Sequence, residues 1–189
     1  MKKIDKNIIN LLFEAKMLKE IPRTGFHYLG SGKESIAEHS FLITFIAFII
    51  SKIEPDIDAL KIISMCLIHD LPEARMGDLN YVHKIYSKAD EKKAVTDLSK
   101  TISFGEDFIE FIEEFNNGDS KEAMYARDAD QLSIMLELKA LKDQGFRGPE
   151  EWLVGIEKRL KTDLCKNIAK QIFETNWDDW WHNIIKKNN

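Results

Sequence analysis

From Asp5 onward nearly every segment repeats its apolar residues at a helical period, and no run of alternating β-branched residues is bounded by hairpin turns. The chain is therefore expected to be all-α. Its most demanding segment opens at Ser35, a good N-cap, and runs to about Ile53, with Pro55 marking its end. From Phe41 to Ile50 this helix is apolar on every face, which predicts a central, buried helix. Before it, a first helix runs from about Asp5 to Ile21 and stops ahead of Pro22, because proline disfavours helical geometry in the preceding residue. Residues 22–34, "PRTGFHYLGSGKE", form a loop. A third helix runs from about Ile57 to Gly77, its last turn kinked by Pro72. Further helices are expected near 88–101, 106–116, 120–144, 149–160 and 162–187, the last broken near Asn176.

The 189 residues suit one compact domain, with no internal repeat or low-complexity linker. At 44% hydrophobic and 31% charged the chain is ordinary globular material. Its net charge of −5 and lack of a long basic run remove the main driving term for nucleic-acid binding, so nucleic acid is not an expected partner. Cys66 and Cys165 lie far apart outside any CxxC pattern, which argues against a disulfide framework or a cysteine zinc site and fits a reducing compartment. The longest unbroken apolar run, residues 41–50, is short of the roughly 20 residues that span a bilayer. The N-terminus is amphipathic and carries acids where a signal peptide needs a plain apolar stretch. A cytoplasmic protein with no membrane association is expected.

One stretch stands out chemically. "HDLPEARMGD", residues 69–78, places a histidine, three acids and an arginine directly after the apolar run "IISMCLI". Charges buried there cost several kcal/mol each unless something pairs them. At about 100° per residue, Asp70 lies about 100° and Glu73 about 40° from His69. On the preceding long helix, His39 continues the line of Ile36, Ile43, Ile46 and Ile50 and should point inward. Two inward histidines and a carboxylate are what a divalent cation needs: imidazole nitrogen and hard oxygen, with positions left open. A fourth ligand is available in "YARDADQLSIMLELKAL". Asp130 shares a stripe with Ile134, Leu138 and Leu141, and Asp128 shares one with Met124, Leu132 and Met135. Periodicity does not choose between them.

"AEHS" (37–40), "HD" (69–70) and "DAD" (128–130) together resemble the H…HD…D signature of the HD-domain metal-dependent phosphohydrolases. Within them, "HDLPEARMGDL", and "PRTGF" followed by "ESIAEHS", are similar to the branch of 5′-deoxynucleotidases acting on deoxynucleoside monophosphates. The joint spacing carries the match: 29 residues separate His39 from His69, and 59 separate Asp70 from Asp130. The likeness covers about residues 8–145 of a single HD domain spanning 1–189, with C-terminal helices at about 149–187.

The resemblance implies an HD-domain helical bundle holding one divalent ion (Mn, Co, Mg, Fe or Ni) on His39, His69, Asp70 and Asp130. It supports Glu73 as the group that orients or deprotonates a water, and implies Asp78 as an acid facing the nucleotide, on the leaving 5′ oxygen or the sugar hydroxyl. Arg23 matches a phosphate-positioning arginine, for which a guanidinium's bidentate geometry is the physical reason. Thr24, Asp78, Leu79, Asn80 and Tyr81 would line the substrate, together with the ligands His39, Asp70 and Asp130. Two features depart from the pattern: tryptophan is frequent in or just after this motif, whereas here Thr24 follows Arg23 and Phe26 is the nearest aromatic, and Asn80 stands where proline is common. Lys84 would add a second positive charge near the phosphate, or is a surface lysine, the reading preferred here.

Other features read as structural. "GSGK" (30–33) lacks P-loop spacing and a preceding strand. His27, His83 and His182 have no ligand-spaced partner. The cluster "NWDDWWHNI" (176–184) suggests helix docking or a subunit contact, hence a homodimer. The expected reaction is hydrolysis of deoxynucleoside 5′-monophosphates. The alternatives are an HD-type hydrolysis of a nucleoside triphosphate, cyclic nucleotide or alarmone, and a catalytically silent module held together by its metal.

Overall fold

The computed structural model describes residues 5–188, and among them every regular element is helical. α1 (Lys6–Met17) starts at Asp5, whose carboxylate accepts from Asn7 N at 3.0 Å. It ends four residues earlier than the periodicity predicts. The reason lies in α3 (Ile36–Ile53), whose first N–H groups have no partner inside their own helix. Ile36 N donates to Ile21 O (2.9 Å) and Ala37 N to Leu18 O (3.1 Å), so the chain must leave α1 to present those carbonyls. Between them, α2 (Phe26–Leu29) is a single helical turn that closes on Gly30 in the left-handed region (φ 68°).

α3 opens with a reciprocal capping box, Ser35 to Glu38 and back. It is not buried all round, as its composition predicts. One face, carrying Ile36, His39, Ile43, Ala47 and Ile50, packs against α4 (Ala59–Ile68) and α9 (Lys121–Asp143). The opposite face leaves Phe41, Phe45, Phe48, Ile49 and Ile53 exposed, Phe41 by 72%. Because both faces are apolar, periodicity carried no information about which one the bundle covers. By length and composition α3 also falls in the range of a membrane-crossing helix, but it carries His39 and forms one wall of the core.

The third expected helix is in fact two. α4 stops at Ile68, and the chain turns through residues 69–72 before α5 (Glu73–Met76), with Pro72 at the N-cap of α5. Proline has no N–H for the helical ladder and crowds the carbonyl four residues back, so the break falls here instead of a kink. Gly77, at φ 73°, then turns the chain out. α6 (Tyr81–Tyr86), which periodicity missed, is capped by the Asn80 side chain, accepting from His83 N at 3.0 Å. α7 (Glu91–Ser99), α8 (Gly105–Asn117), α10 (Pro149–Glu157), α11 (Asp163–Glu174) and α12 (Asp179–Asn188) lie within a few residues of expectation, the last two separated around Asn176. α9 is the hub, touching α3, α4, α8, α10 and α11. Cys66 and Cys165 are buried free thiols in the core that these helices enclose. In the C-terminal segment Trp177 and Trp180 are exposed.

Candidate metal centre and its cavity

Three elements bring the four expected ligands together. His39 comes from the first turn of α3, His69 and Asp70 from the break that Pro72 imposes after α4, and Asp130 from the middle of α9. The candidate ligand atoms of His39, His69 and Asp70 lie within 4.8 Å of one another. His39 Nε2 is 3.0 Å from Asp130 Oδ1 and 3.7 Å from Asp70 Oδ2, and His69 Nε2 is 3.2 Å from Asp70 Oδ2.

Each imidazole is oriented from behind. His69 Nδ1 lies 2.9 Å from Cys66 O, and a carbonyl can only accept. Nδ1 is therefore the protonated nitrogen of neutral His69, leaving the Nε2 lone pair for the cluster. His39 Nδ1 meets Ser133 Oγ at 2.9 Å, one turn along α9 from Asp130. His39 is wholly buried, and its Nε2, although 3.0 Å from Asp130 Oδ1, is not aligned for a hydrogen bond to that oxygen or to any other group. An orphaned buried nitrogen among carboxylates is an anomaly for a bare protein and a requirement for a metal ligand. The donor set, two imidazoles and two carboxylates, fits a divalent ion of the borderline to hard class.

In the metal-free protein the cluster is electrostatically coupled: against the cost of burial, Asp70 and Asp130 draw His69 toward its charged form, which a bound cation would replace. Burial alone would raise Asp130, but its contact with His39 and the charges of Arg23 and His69 outweigh it and hold the carboxyl at about 2. Burial is likewise overcome at Asp70, held low by His69 and Arg23. Glu73 goes the other way: burial, then the charges of Asp70 and Asp78, push it well above the carboxylate range.

Asp128, the alternative on α9, serves another purpose. It is 1% exposed and faces the start of α11, accepting from Lys161 N (2.9 Å), Thr162 N (2.7 Å) and Thr162 Oγ1 (2.7 Å). Of the two, it is Asp130 that reaches the cluster, at His39.

In front of the cluster is a cavity of about 530 Å³ whose lining includes Arg23, His69, Asp70, Glu73, Asp78, Leu79, Lys84 and Asp130. Arg23 Nη1 sits 3.3 Å from Asp70 Oδ2, which places a planar cation beside the ligands. Lys84 is exposed, as a surface lysine is, and also belongs to the cavity lining. His39, expected among substrate contacts, lines no part of it and can meet a substrate only through an ion. Tyr81 is 82% exposed at the edge of the neighbouring cleft.

The two departures from the familiar pattern turn out to be bonded to each other. Thr24 N donates to Asp78 Oδ2 at 2.6 Å, and Thr24 Oγ1 lies 3.1 Å from Asp78 O and 3.2 Å from Asp78 Oδ2. Asn80 N donates to Thr24 Oγ1 (3.2 Å) and Asn80 Nδ2 to Thr24 O (3.3 Å). Thr24 and Asn80 thus clamp the loop of residues 22–34 to the segment after α5, and Asp78 accepts in that clamp. Sequence reasoning missed Ser133 and the Cys66 carbonyl. Ser133 was legible as a polar residue one turn from Asp130, but a main-chain carbonyl leaves no mark on a sequence.

Comparison with known proteins gives the same framework. The HD domain family profile matches residues 15–172. The 5′-deoxynucleotidase HDDC2 of Dictyostelium discoideum is 29% identical over 132 residues, covering 64% of this chain and 70% of that one. The human 5′-deoxynucleotidase HDDC2 is 23% identical over 144 residues, covering 73% and 70%. A conserved hypothetical protein from Pyrococcus furiosus superposes with a TM-score of 0.74 at 28% identity, over 88% of this chain and 99% of that one. A protein from Magnetospirillum magnetotacticum described as a predicted metal-dependent phosphohydrolase shares the fold, with a TM-score of 0.69 at 21% identity over 89% and 90%. With the matched profile spanning the whole ligand set and most of the bundle around it, the chain belongs to the HD domain family.

Proposed function

We propose that this HD-domain hydrolase removes the 5′-phosphate of deoxynucleoside monophosphates in a divalent-metal-dependent reaction. The observation that carries the reading is the orphaned His39 Nε2 among His69, Asp70 and Asp130, at the back of a cavity whose lining holds Arg23, Lys84 and Glu73. The relatives named 5′-deoxynucleotidase support the substrate class.

A divalent ion held by His39, His69, Asp70 and Asp130 would supply Lewis acidity and charge neutralisation to a reaction that is among the slowest known uncatalysed. The chain's own groups do the rest. Arg23, with Lys84 in the same lining, binds phosphoryl oxygens, and the fixed fork of the guanidinium orients them. Glu73, half-buried and pushed upward by burial and by the charges of Asp70 and Asp78, holds or moves a proton at the water that attacks phosphorus. Asp78 Oδ2 already accepts from Thr24, so its role reads as an acceptor for a sugar hydroxyl and a fixture of the loop, in preference to donation to the leaving oxygen.

A second reading, hydrolysis of a nucleoside triphosphate, draws on a cleft of about 510 Å³ beside Asp130, whose lining includes Arg127, Arg159 and Lys161. These cations are on opposite segments of the chain and could not be grouped by sequence. The experiment is phosphate release from nucleoside 5′- and 3′-monophosphates and triphosphates, after chelator stripping and add-back of Mn, Co or Mg singly. Metal-restored release from deoxynucleoside 5′-monophosphates alone is the expected result. Turnover of triphosphates in preference to monophosphates would transfer the assignment to the second reading, and silence across the panel with metal bound would overturn both.

A further inference from the structure

A second cavity, about 670 Å³, adjoins the one in front of the ligands and shares four of its lining residues, Arg23, Asp78, Leu79 and Lys84. Its far wall is of different chemistry. Phe26 and Leu29 from α2, Ile134 and Leu138 from α9 and Trp152 from α10 make it apolar, within the usual size range of small-molecule sites. Anything whose phosphate lies against Arg23 must send the remainder of the molecule past Asp78 and Leu79 into this space or out to solvent.

Trp152 is set up as a platform there. α10 buries Leu153 and Ile156 against the core, which leaves Trp152, 41% exposed, on the flank beside α2. A Cβ built on Gly25 would stand 3.6 Å from Trp152 Cζ3, so the indole rests in van der Waals range of the loop that carries Arg23 and Thr24. One turn along α10, Gly155 also lines the cavity, and a Cβ there would meet only Arg159 Nη1, at 4.0 Å. Glycine inside a helix is destabilising relative to alanine. Here it leaves the floor beside the indole open. At the same end Arg159 Nε is fixed to Gln131 Oε1 at 2.7 Å.

We infer that this second cavity is the nucleobase subsite of the substrate, with Trp152 as the stacking residue and Gly155 as the residue that leaves the base its room. A flat heteroaromatic ring suits the position because every base offers a π-face to an indole, which gives affinity with little dependence on sequence of donors and acceptors. The inference rests on the nucleotide reading above, and it assigns binding, not chemistry, to Trp152.

The test compares wild type, Trp152→Ala, Trp152→Phe and Gly155→Leu as metal-loaded proteins on deoxynucleoside 5′-monophosphates and on 2-deoxyribose 5-phosphate, which has no base. Trp152→Ala should raise KM for the nucleotides about 5- to 30-fold with kcat within about twofold, the lower part of the range for lost base stacking. Trp152→Phe should recover most of the loss, and Gly155→Leu should reproduce it from the other side. None should alter turnover of the base-free sugar phosphate. Equal losses on both substrate types, an unchanged nucleotide KM in the alanine variant, or equal wild-type preference for the two substrates would overturn the subsite while leaving phosphomonoester hydrolysis standing. Conversely, Trp152-dependent binding of nucleotides by calorimetry without phosphate release would uphold the subsite and overturn the nucleotidase reading.

Discussion

Asp128 and Asp130 sit two residues apart on α9, and the structure assigns them separable tasks that a matched pair of alanine variants can test. Asp128 is buried and accepts from two main-chain N–H groups and one hydroxyl at the entrance to α11. Hydrogen bonds to a charged group are worth about 1.5–3 kcal/mol each, and donors left unpaired in a buried place cost about 1–3 kcal/mol. Losing two such N–H partners in Asp128→Ala should destabilise the protein by about 3–5 kcal/mol. For a domain of this size that is a fall in Tm of roughly 6–20 °C, at about 2–4 °C per kcal/mol. Asp130 differs because burial opposes its charge while His39, Arg23 and His69 favour it, and the balance leaves it ionised. Asp130→Ala should therefore destabilise metal-free protein as well, by about 2–3 kcal/mol, less than Asp128→Ala. Metal content should show the opposite pattern, retained in Asp128→Ala below its Tm and lost in Asp130→Ala. Thermal melts of the chelated proteins, with elemental analysis after dialysis against Mn, read both quantities. Loss of metal from Asp128→Ala with an unmoved Tm, or a full metal complement in Asp130→Ala, would refute the assignment.

Metal should stabilise the fold by mass action: at a free concentration 100 times its Kd the gain is about 2.7 kcal/mol, and His39→Ala should abolish the accompanying rise in Tm. Both cysteines should resist alkylation by iodoacetamide at pH 8 until the protein unfolds. Burial pushes the Cys165 thiol up to about 12 and drives Cys66 upward as well, so the thiolate fraction at pH 8 is negligible; rapid labelling of folded protein would contradict the packing. Thr24→Val keeps the backbone N–H donor and the shape but removes the hydroxyl that meets Asp78 and Asn80. Its KM for phosphomonoesters should rise several-fold and its Tm fall by a few degrees, and Thr24→Ser should restore both. An unchanged KM in the valine variant would deny the clamp a part in holding the loop.

The ligands on α3 and after α4 were legible because a charged or titratable residue on an apolar stripe is conspicuous. What stayed illegible was what each stripe faces. Asp128 and Asp130 both point inward, as their periodicity requires, but one meets a helix N-terminus and the other a histidine. That difference belongs to the packing of α11 and α3 against α9, which no local pattern encodes. α3 failed in a complementary way: with phenylalanine and isoleucine on every side, its sequence contains no polar face to mark the exterior. α2 and α6, at four and six residues, are too short to display a period, and their capping residues identify them only after the fact. Trp152 lies beyond the segment where the motifs fall, and it joins the cavity only because α10 folds back beside α2.

The Thr24 and Asn80 pair permits a sharper version of the same point. Taken singly, each lies at a departure from the resembled pattern, in which tryptophan is frequent in or just after the motif of the first and proline is common at the second. In the structure the two are coupled, since Asn80 N donates to Thr24 Oγ1, a bond proline has no hydrogen to make. The φ of Asn80, −67°, already suits proline, so Asn80→Pro should introduce no strain at that angle and should act mainly by deleting its N–H, its side-chain bond to Thr24 and the cap on α6. The cost is expected to be about 1–3 kcal/mol in the wild-type background. With Thr24→Val present the Oγ1 acceptor is already gone, and the same change should cost less by about 0.5–1.5 kcal/mol, the usual size of coupling between residues in contact. Urea unfolding of the two single variants and the double variant measures that difference directly. Strict additivity would mean that the two departures arose side by side without depending on each other, and that the clamp between the loop and the segment after α5 is held by Asp78 alone.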